Sequence, residues 1–319
     1  MGIDSKIEWT HHTANLWWGC TEVHEGCDNC YAAALDNRYN HENTHWGNDK
    51  PRKAVKGVWG DFMRAQDVAK AAGERHRVFV GSMMDIFEKS FNLESPLMLP
   101  SSISENGRVI DLTRSEITNG AALEPFRCTS ELRQFFLRVI VPLCPNLIFL
   151  LLTKRPGNIN PYIPKSWKET PPNNVMFGCS VVNQATADRL IPQLLAVNGK
   201  MFLSIEPQLD IVNLNYIRTS YNENRSSHVI DCLNGLRGAL IPNSDNWAKI
   251  DWVICGGESG PNKRPFDANW ARSLKTQCKA AGVPFFMKQI DKIQPIPEDL
   301  EVRQYPSYHL EKSFKPTQP

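Results

Sequence analysis

The sequence is poor in the features that mark membranes, export and polyanion binding. No stretch approaches the roughly 18 consecutive apolar residues that a membrane span requires, so no membrane partner is expected. The opening Met-Gly-Ile-Asp-Ser-Lys-Ile-Glu lacks a basic flank followed by an apolar run. That absence argues against a secretory signal and makes a cytoplasmic protein the expectation. An excess of one charge is missing too: 36 Lys and Arg against 34 Asp and Glu leave a formal net charge of +2. Nothing at whole-chain level therefore demands a nucleic acid. A local basic groove remains open, with Lys50, Arg52, Lys53 and Lys56 flanked by Trp46 and Trp59 for stacking; the competing reading is a solvated loop. With 41% hydrophobic residues over 319 positions, the chain builds an ordinary core without disulfide staples.

What is present is a concentration of sulfur. Cys20, Cys27 and Cys30 fall within one segment, Gly19-Cys20-Thr-Glu-Val-His-Glu-Gly26-Cys27-Asp-Asn-Cys30-Tyr31. In a reducing compartment such a cluster reads as metal or redox chemistry. Three thiolates hold three corners of an iron–sulfur cluster and leave the fourth iron open, whereas a closed structural site recruits four protein ligands. His24 within the loop, with His11 and His12 just before it, keeps a Cys3His zinc site open as the rival. Gly19 and Gly26 let the backbone curl around an inorganic core. The other cysteines, Cys128, Cys144, Cys179, Cys232, Cys255 and Cys278, are scattered, mostly in apolar runs, and read as small buried hydrophobes.

Short apolar runs recur with helix-like stretches between them. They are Val78–Gly81, Leu147–Leu152, Val175–Cys179, Lys200–Leu203, Trp252–Cys255 and Val283–Met287. Runs this short and continuous predict strands buried on both faces, hence a parallel sheet. Helices are predicted over Glu131–Ile140, Thr186–Ala196 and Asn269–Ala281, the last capped by Asp267. With the segment ahead of Cys20 the count is seven strands. The fold class is therefore α/β, a partial or near-complete parallel (β/α) barrel rather than a Rossmann sheet. The barrel spans 1–292, with insertions or lids near 101–127 and 216–248. A Pro-rich C-terminal extension, 293–319, reads as loose.

Each run ends in polar residues: Ser82 and Asp85, Lys154, Ser180, Glu206, then Gly257 and Glu258. Parallel barrels assemble their active sites from loops at this end of the strands. The cysteine loop follows the first strand, so metal and polar residues are expected to converge there. Each residue also has a plainer reading. Lys154 either snorkels to solvent or turns into the mouth to meet a carboxylate. Asp85 and Glu206 cap a helix start or support other groups, and Gly256-Gly257-Glu258-Ser259-Gly260 is a cofactor loop or a tight turn. Trp9, Trp17 and Trp18 read as core.

Together these pieces resemble the phage-associated three-Cys-motif proteins and, more broadly, the radical-SAM superfamily. The resemblance runs from Trp9 to about Gln289, apart from the two insertions. It rests on Gly-Cys20…Gly-Cys27-Asp-Asn-Cys30-Tyr-Ala, Gly-Ser82-Met-Met-Asp85, Thr153-Lys154-Arg155-Pro, Ser204-Ile-Glu206-Pro and Gly-Gly257-Glu258-Ser-Gly260. Within the superfamily the arrangement is most similar to the spore photoproduct lyase branch. That resemblance implies a 4Fe–4S cluster on Cys20, Cys27 and Cys30, with S-adenosylmethionine (SAM) on the open iron. The Ser82–Asp85 strand end would hold the SAM amino group, and Lys154 and Ser180 would meet its carboxylate. It further implies an enzyme in which the reduced cluster cleaves SAM to methionine and a 5′-deoxyadenosyl radical. An external electron donor is then required, a partner protein is an option, and analogy makes a nucleic acid or nucleobase the substrate. The sequence departs from the superfamily pattern in two ways: six residues separate the first two cysteines instead of three, and Tyr31 follows the last cysteine instead of preceding it. Cys179 and Cys255, at strand ends, are the candidates for a hydrogen-atom donor. The rival readings are a zinc-stabilised non-catalytic binding protein and an iron–sulfur electron-transfer protein without SAM.

Overall fold

The computed structural model of the chain describes residues 2, 5–98, 102–105, 108–111, 124–219, 228–237, 248–260 and 262–307. Its centre is a seven-stranded sheet with strands β1 (His12–Ala14), β2 (His76–Val80), β3 (Leu147–Thr153), β4 (Val175–Ser180), β5 (Lys200–Ile205), β6 (Trp252–Gly256) and β7 (Phe285–Gln289). Every neighbouring pair is parallel. Spatial order follows chain order without reversal, so the sheet curls steadily into a half-barrel. A doubly wound sheet would instead reverse at a switch point. All six apolar runs are strands, as their burial on both faces predicts. Among the described residues no helix is long and apolar enough to cross a membrane.

Alternation along the strands sorts the core into two layers. Phe149 and Leu151, Phe177 and Cys179, Leu203 and Ile205, Val253 and Cys255 face outward into the larger cluster. Helices α2 (Val58–Ala72), α3 (Thr129–Phe135), α4 (Gln184–Leu194) and α5 (Ala268–Ala281) contribute to that layer. Asn183 and Asp267 cap α4 and α5 by accepting from the N–H groups of Thr186 and Asn269. After α3 the chain widens into a π turn, Phe136–Ile140, because Pro142 lacks an N–H and its ring crowds the Arg138 carbonyl. The inner layer is aromatic: Trp9, Phe79, Phe202, Trp252 and Phe286 plug the concave side with Ile148, Leu150, Met176 and Ile254.

One glycine makes that plug possible. Gly178 sits in register between Leu152 and Phe202, and a Cβ on it would stand 2.2 Å from the Phe202 ring. Gly178→Val is expected to destabilise the fold by about 1–3 kcal/mol through overpacking. Denaturant unfolding checks this, and an unchanged midpoint would mean that the ring has room to move.

Three expectations about the periphery are corrected. The basic groove does not form, because Arg52 is fully buried and Trp59 belongs to the core. The second insertion is not simply a polar lid. Its strands Ile217–Thr219, His228–Asp231 and Leu236–Arg237 form a small antiparallel sheet that buries Ile217, Ile230 and Cys232. In the first insertion Ser102–Glu105 pairs with Arg108–Asp111. Residues 112–123, 220–227 and 238–247 lie outside the described residues. The C-terminal segment is anchored as far as Tyr305, since Leu300 is buried and Gln304 N–H donates to the Phe285 carbonyl at 3.0 Å. Arg303 pairs with Glu8, and the Tyr305 hydroxyl donates to the Glu8 carbonyl at 3.0 Å, tying the N-terminal segment to the last strand. Residues 308–319 lie outside the described residues.

Candidate functional site

Above the aromatic plug, at the C-terminal end of the strands, a cavity of about 650 Å³ opens. It exists because the concave residues become small or polar one step beyond the plug: Gly81, Ser180 and Ser204 stand where the bulky side chains stop. Cys20, Cys27 and Cys30 all line it, as do Ser82, Asp85, Lys154, Ser180 and Glu206. The residues expected to converge do so, except Gly257 and Glu258.

The chain delivers the three thiols in different ways. Gly19 donates its N–H to the Met83 carbonyl at 3.1 Å and bridges to Met84, so Cys20 emerges beside the end of β2. Only glycine suits this position: φ is +117°, and a Cβ would lie 2.4 Å from the His45 carbonyl oxygen. Cys27 ends a short turn, Glu25–Cys27, with its N–H on the His24 carbonyl at 2.8 Å. Cys30 is the N-cap of α1 (Tyr31–Asn40), so its thiol stands where the helix begins. Burial pushes the Cys20 thiol up to about 12; Asp85 and Glu88 add to this while Arg155 and Lys154 oppose it.

Two arginines not anticipated from the sequence clamp the loop at its ends. Arg155, just past β3, donates to the Thr21 carbonyl and to the Asp85 carboxylate, both at 2.7 Å, and its Nη1 lies 3.8 Å from Cys20 Sγ. Arg264 donates to the Glu25 carbonyl at 2.9 Å and to Asp28 at 3.1 Å while gripping Glu258. Glu258 thus serves the loop from outside the cavity: burial works against its charge, but bonds from Arg264 and Asn29 win and hold its carboxyl below the usual range. Gly257 is packed backbone, with its N–H on the Gln289 carbonyl at 3.2 Å.

Asp85 is likewise spoken for. Its carboxylate accepts from the Thr153 hydroxyl, the N–H groups of Phe87 and Lys154, and Arg155. It does not stand free to receive an amino group, because the arginine after β3 reaches back to it. Ser82 is held too: its hydroxyl accepts from Asn15 and its carbonyl from the Tyr31 hydroxyl, each at 2.8 Å. Glu206 Oε1 lies 2.9 Å from Lys288 Nζ in an ion pair, and Oε2 accepts from Ser204 at 3.3 Å. Lys154 faces the cavity with no carboxylate partner among the described residues. Lys6 and Lys292 line the cavity in the same condition.

The histidines do not gather on the sulfurs. His11 and His12 belong to the opposite end of β1, where His12 Nε2 lies 3.1 Å from His76 Nδ1. His24 Nδ1 accepts from the Gly26 N–H at 3.1 Å, and burial, with Lys154 next, holds its pKa down at about 4. Among the described residues no three Cys, His, Asp or Glu side chains converge on a point that would hold a single ion. Cys179 and Cys255 are fully buried on the outer layer and face away from the cavity, which removes both as hydrogen-atom donors.

A family model described as "Protein of unknown function (DUF5131)" matches residues 4–106 and 129–305, leaving out part of the first insertion. No curated protein and no solved structure matches the chain.

Proposed function

The chain belongs to the DUF5131 family, and we propose that it is a radical-SAM-type enzyme whose 4Fe–4S cluster is held by Cys20, Cys27 and Cys30. The observation that carries this reading is that all three thiols of one loop open into the same cavity as Lys154, Ser180 and Glu206. Three thiolates on one loop are the donor set of a cluster with an open corner, and among the described residues no trio of Cys, His, Asp or Glu side chains is gathered for a single zinc ion. When bound, the cluster and SAM supply the low-potential electron and the carbon radical.

The protein's own residues bind, orient and exclude water. Lys154, with no carboxylate of its own, suits the SAM carboxylate, and Ser180 supplies a hydroxyl beside it. Glu206, paired with Lys288, lines the same cavity. Trp9, Phe79 and Leu152 close the floor against water. Lys6 and Lys292, which also line the cavity, favour an anionic substrate, in keeping with the nucleic acid or nucleobase that the resemblance implies. An external one-electron donor completes the system.

The test is anaerobic reconstitution. A brown protein with four irons that forms 5′-deoxyadenosine from SAM under a chemical reductant is the expected result. A cluster indifferent to SAM would leave an electron-transfer protein, and colourless protein with one zinc would end the proposal. Lys154→Ala is expected to weaken SAM binding about tenfold or more, the worth of one charge-assisted hydrogen bond, with iron content unchanged. Equilibrium binding to the reconstituted protein measures this, and an unchanged affinity removes Lys154 from the site.

A further inference from the structure

We infer that Arg155 sets the reduction potential of the metal centre by donating a hydrogen bond to the sulfur of Cys20, an inference that rests on the cluster reading above. Its guanidinium is held on three sides. Nη1 donates to Asp85 Oδ2 at 2.7 Å and lies 3.8 Å from Cys20 Sγ. Nη2 donates to the Thr21 carbonyl at 2.7 Å and to the Thr21 hydroxyl. The group is largely buried, at 16% side-chain exposure against 7% for Asp85. A planar fork fixed in this way has no freedom to swing from the sulfur, and a lysine has no second arm with which to reproduce the hold. Among the described residues no other side chain donates to Cys20, Cys27 or Cys30.

Reduction by one electron from a low-potential donor adds negative charge to the irons and to the sulfurs that bind them. A donor aimed at a ligand sulfur stabilises that added charge more than it stabilises the oxidised state, and so raises the potential. Low local polarity strengthens the effect. Asp85 plays a double part: it fixes the guanidinium against the sulfur and offsets part of its charge, so the directed N–H contact matters more than net charge. Arg264 provides the natural contrast. It clamps the same loop through the Glu25 carbonyl and Asp28 and touches none of the three sulfurs. Arg155 is therefore a positioning residue with an electronic role, and Arg264 is a clamp alone.

Redox titration of the reconstituted full chain, followed by electron paramagnetic resonance, separates the two roles. Arg155→Gln is expected to load iron and to titrate at a more negative potential than wild type. Arg155→Lys should shift in the same direction by less, and Arg264→Gln should titrate with wild type. Equal potentials in wild type and both Arg155 variants would overturn the inference and leave the cluster reading standing. An equal shift in Arg264→Gln would overturn it as well, since loosening of the loop would then be the cause. If Arg155→Gln takes up no iron, the lysine variant decides, and a wild-type potential in it overturns the inference. Wild-type protein that takes up no iron overturns both the inference and the reading beneath it.

Discussion

Cys27→Ala is expected to abolish iron uptake and 5′-deoxyadenosine formation while the protein stays folded. Cys27 sits at the end of a short turn, partly buried, and its contribution to the local structure is a backbone N–H that alanine keeps. Neither layer of the core includes it. The apoprotein should therefore unfold within about 0.5 kcal/mol of wild type, as surface substitutions usually do. A cluster that loses one of three protein ligands has lost a thiolate; the loop's other ligating side chain is His24, whose Nδ1 accepts from the Gly26 N–H and whose Nε2 is buried without a hydrogen-bond partner. Iron and sulfide analysis after anaerobic reconstitution, with a melt of the unreconstituted protein, checks both halves. Wild-type iron in the variant would remove Cys27 from the ligand set. Collapse of the apoprotein would mean that the loop is part of the fold.

Strand positions were legible because strands buried on both faces are written as unbroken apolar runs, and nothing else in this chain looks like Leu147–Leu152. Helix α2 was less so. Its apolar face is regular, with Val58, Trp59, Phe62, Met63, Ala65 and Ala69 buried, but it starts after Gly57 without a side-chain cap and follows a run of lysines. Those lysines and tryptophans suggest a binding groove when the tertiary partners are invisible. The anchoring of the C-terminal segment was hidden for a similar reason. Leu300, Arg303 and Tyr305 show no periodicity, and they are held by pairing with β7 and with Glu8.

At the site, Ser82, Asp85, Lys154, Ser180 and Glu206 line the cavity from their strand ends and Gly257 and Glu258 do not, and the partners of these residues leave no sign in the sequence. By sequence Asp85 and Glu258 are candidate cofactor-binding residues, whereas in the fold each is matched to an arginine. Arg155 stood in plain view beside Lys154, and Arg264 lies six residues past Glu258. Long-range pairing of this kind leaves no local pattern. The orientation of the strand-end cysteines was recoverable. Once Ser180 faces the cavity, strand alternation turns Cys179 outward, and the same parity sends Cys255 away from the mouth.

Arg52→Met is expected to cost about 3–5 kcal/mol, the range for breaking a buried ion pair by removing one partner. The pair is fully enclosed, with side-chain exposures of 0% for Arg52 and 1% for Glu88. Nε and Nη2 grip the Glu88 carboxylate at 2.8 and 3.1 Å. Nη1 satisfies three carbonyls, those of His45, Gly47 and Lys50, at 2.7, 3.1 and 2.9 Å. Methionine fills much of the volume but leaves a buried carboxylate and three stranded carbonyls. Burial already pushes the Glu88 pKa up, and Arg52 is the main force opposing it. Without the arginine the folded state holds its proton to still higher pH than the unfolded chain does. The variant should therefore be most stable in acid and lose stability as pH rises through and above the ordinary glutamate range. Denaturant unfolding at several pH values measures both effects, and Arg52→Met with Glu88→Gln should recover part of the loss. A cost below about 1 kcal/mol, or a loss that does not grow with pH, would show that the carboxylate finds water or another donor. The same substitution reaches the metal loop, because the segment that Arg52 gathers includes Gly47, whose N–H holds the Cys20 carbonyl at 3.0 Å. Iron uptake should fall with stability in this variant, whereas in Cys27→Ala it falls alone.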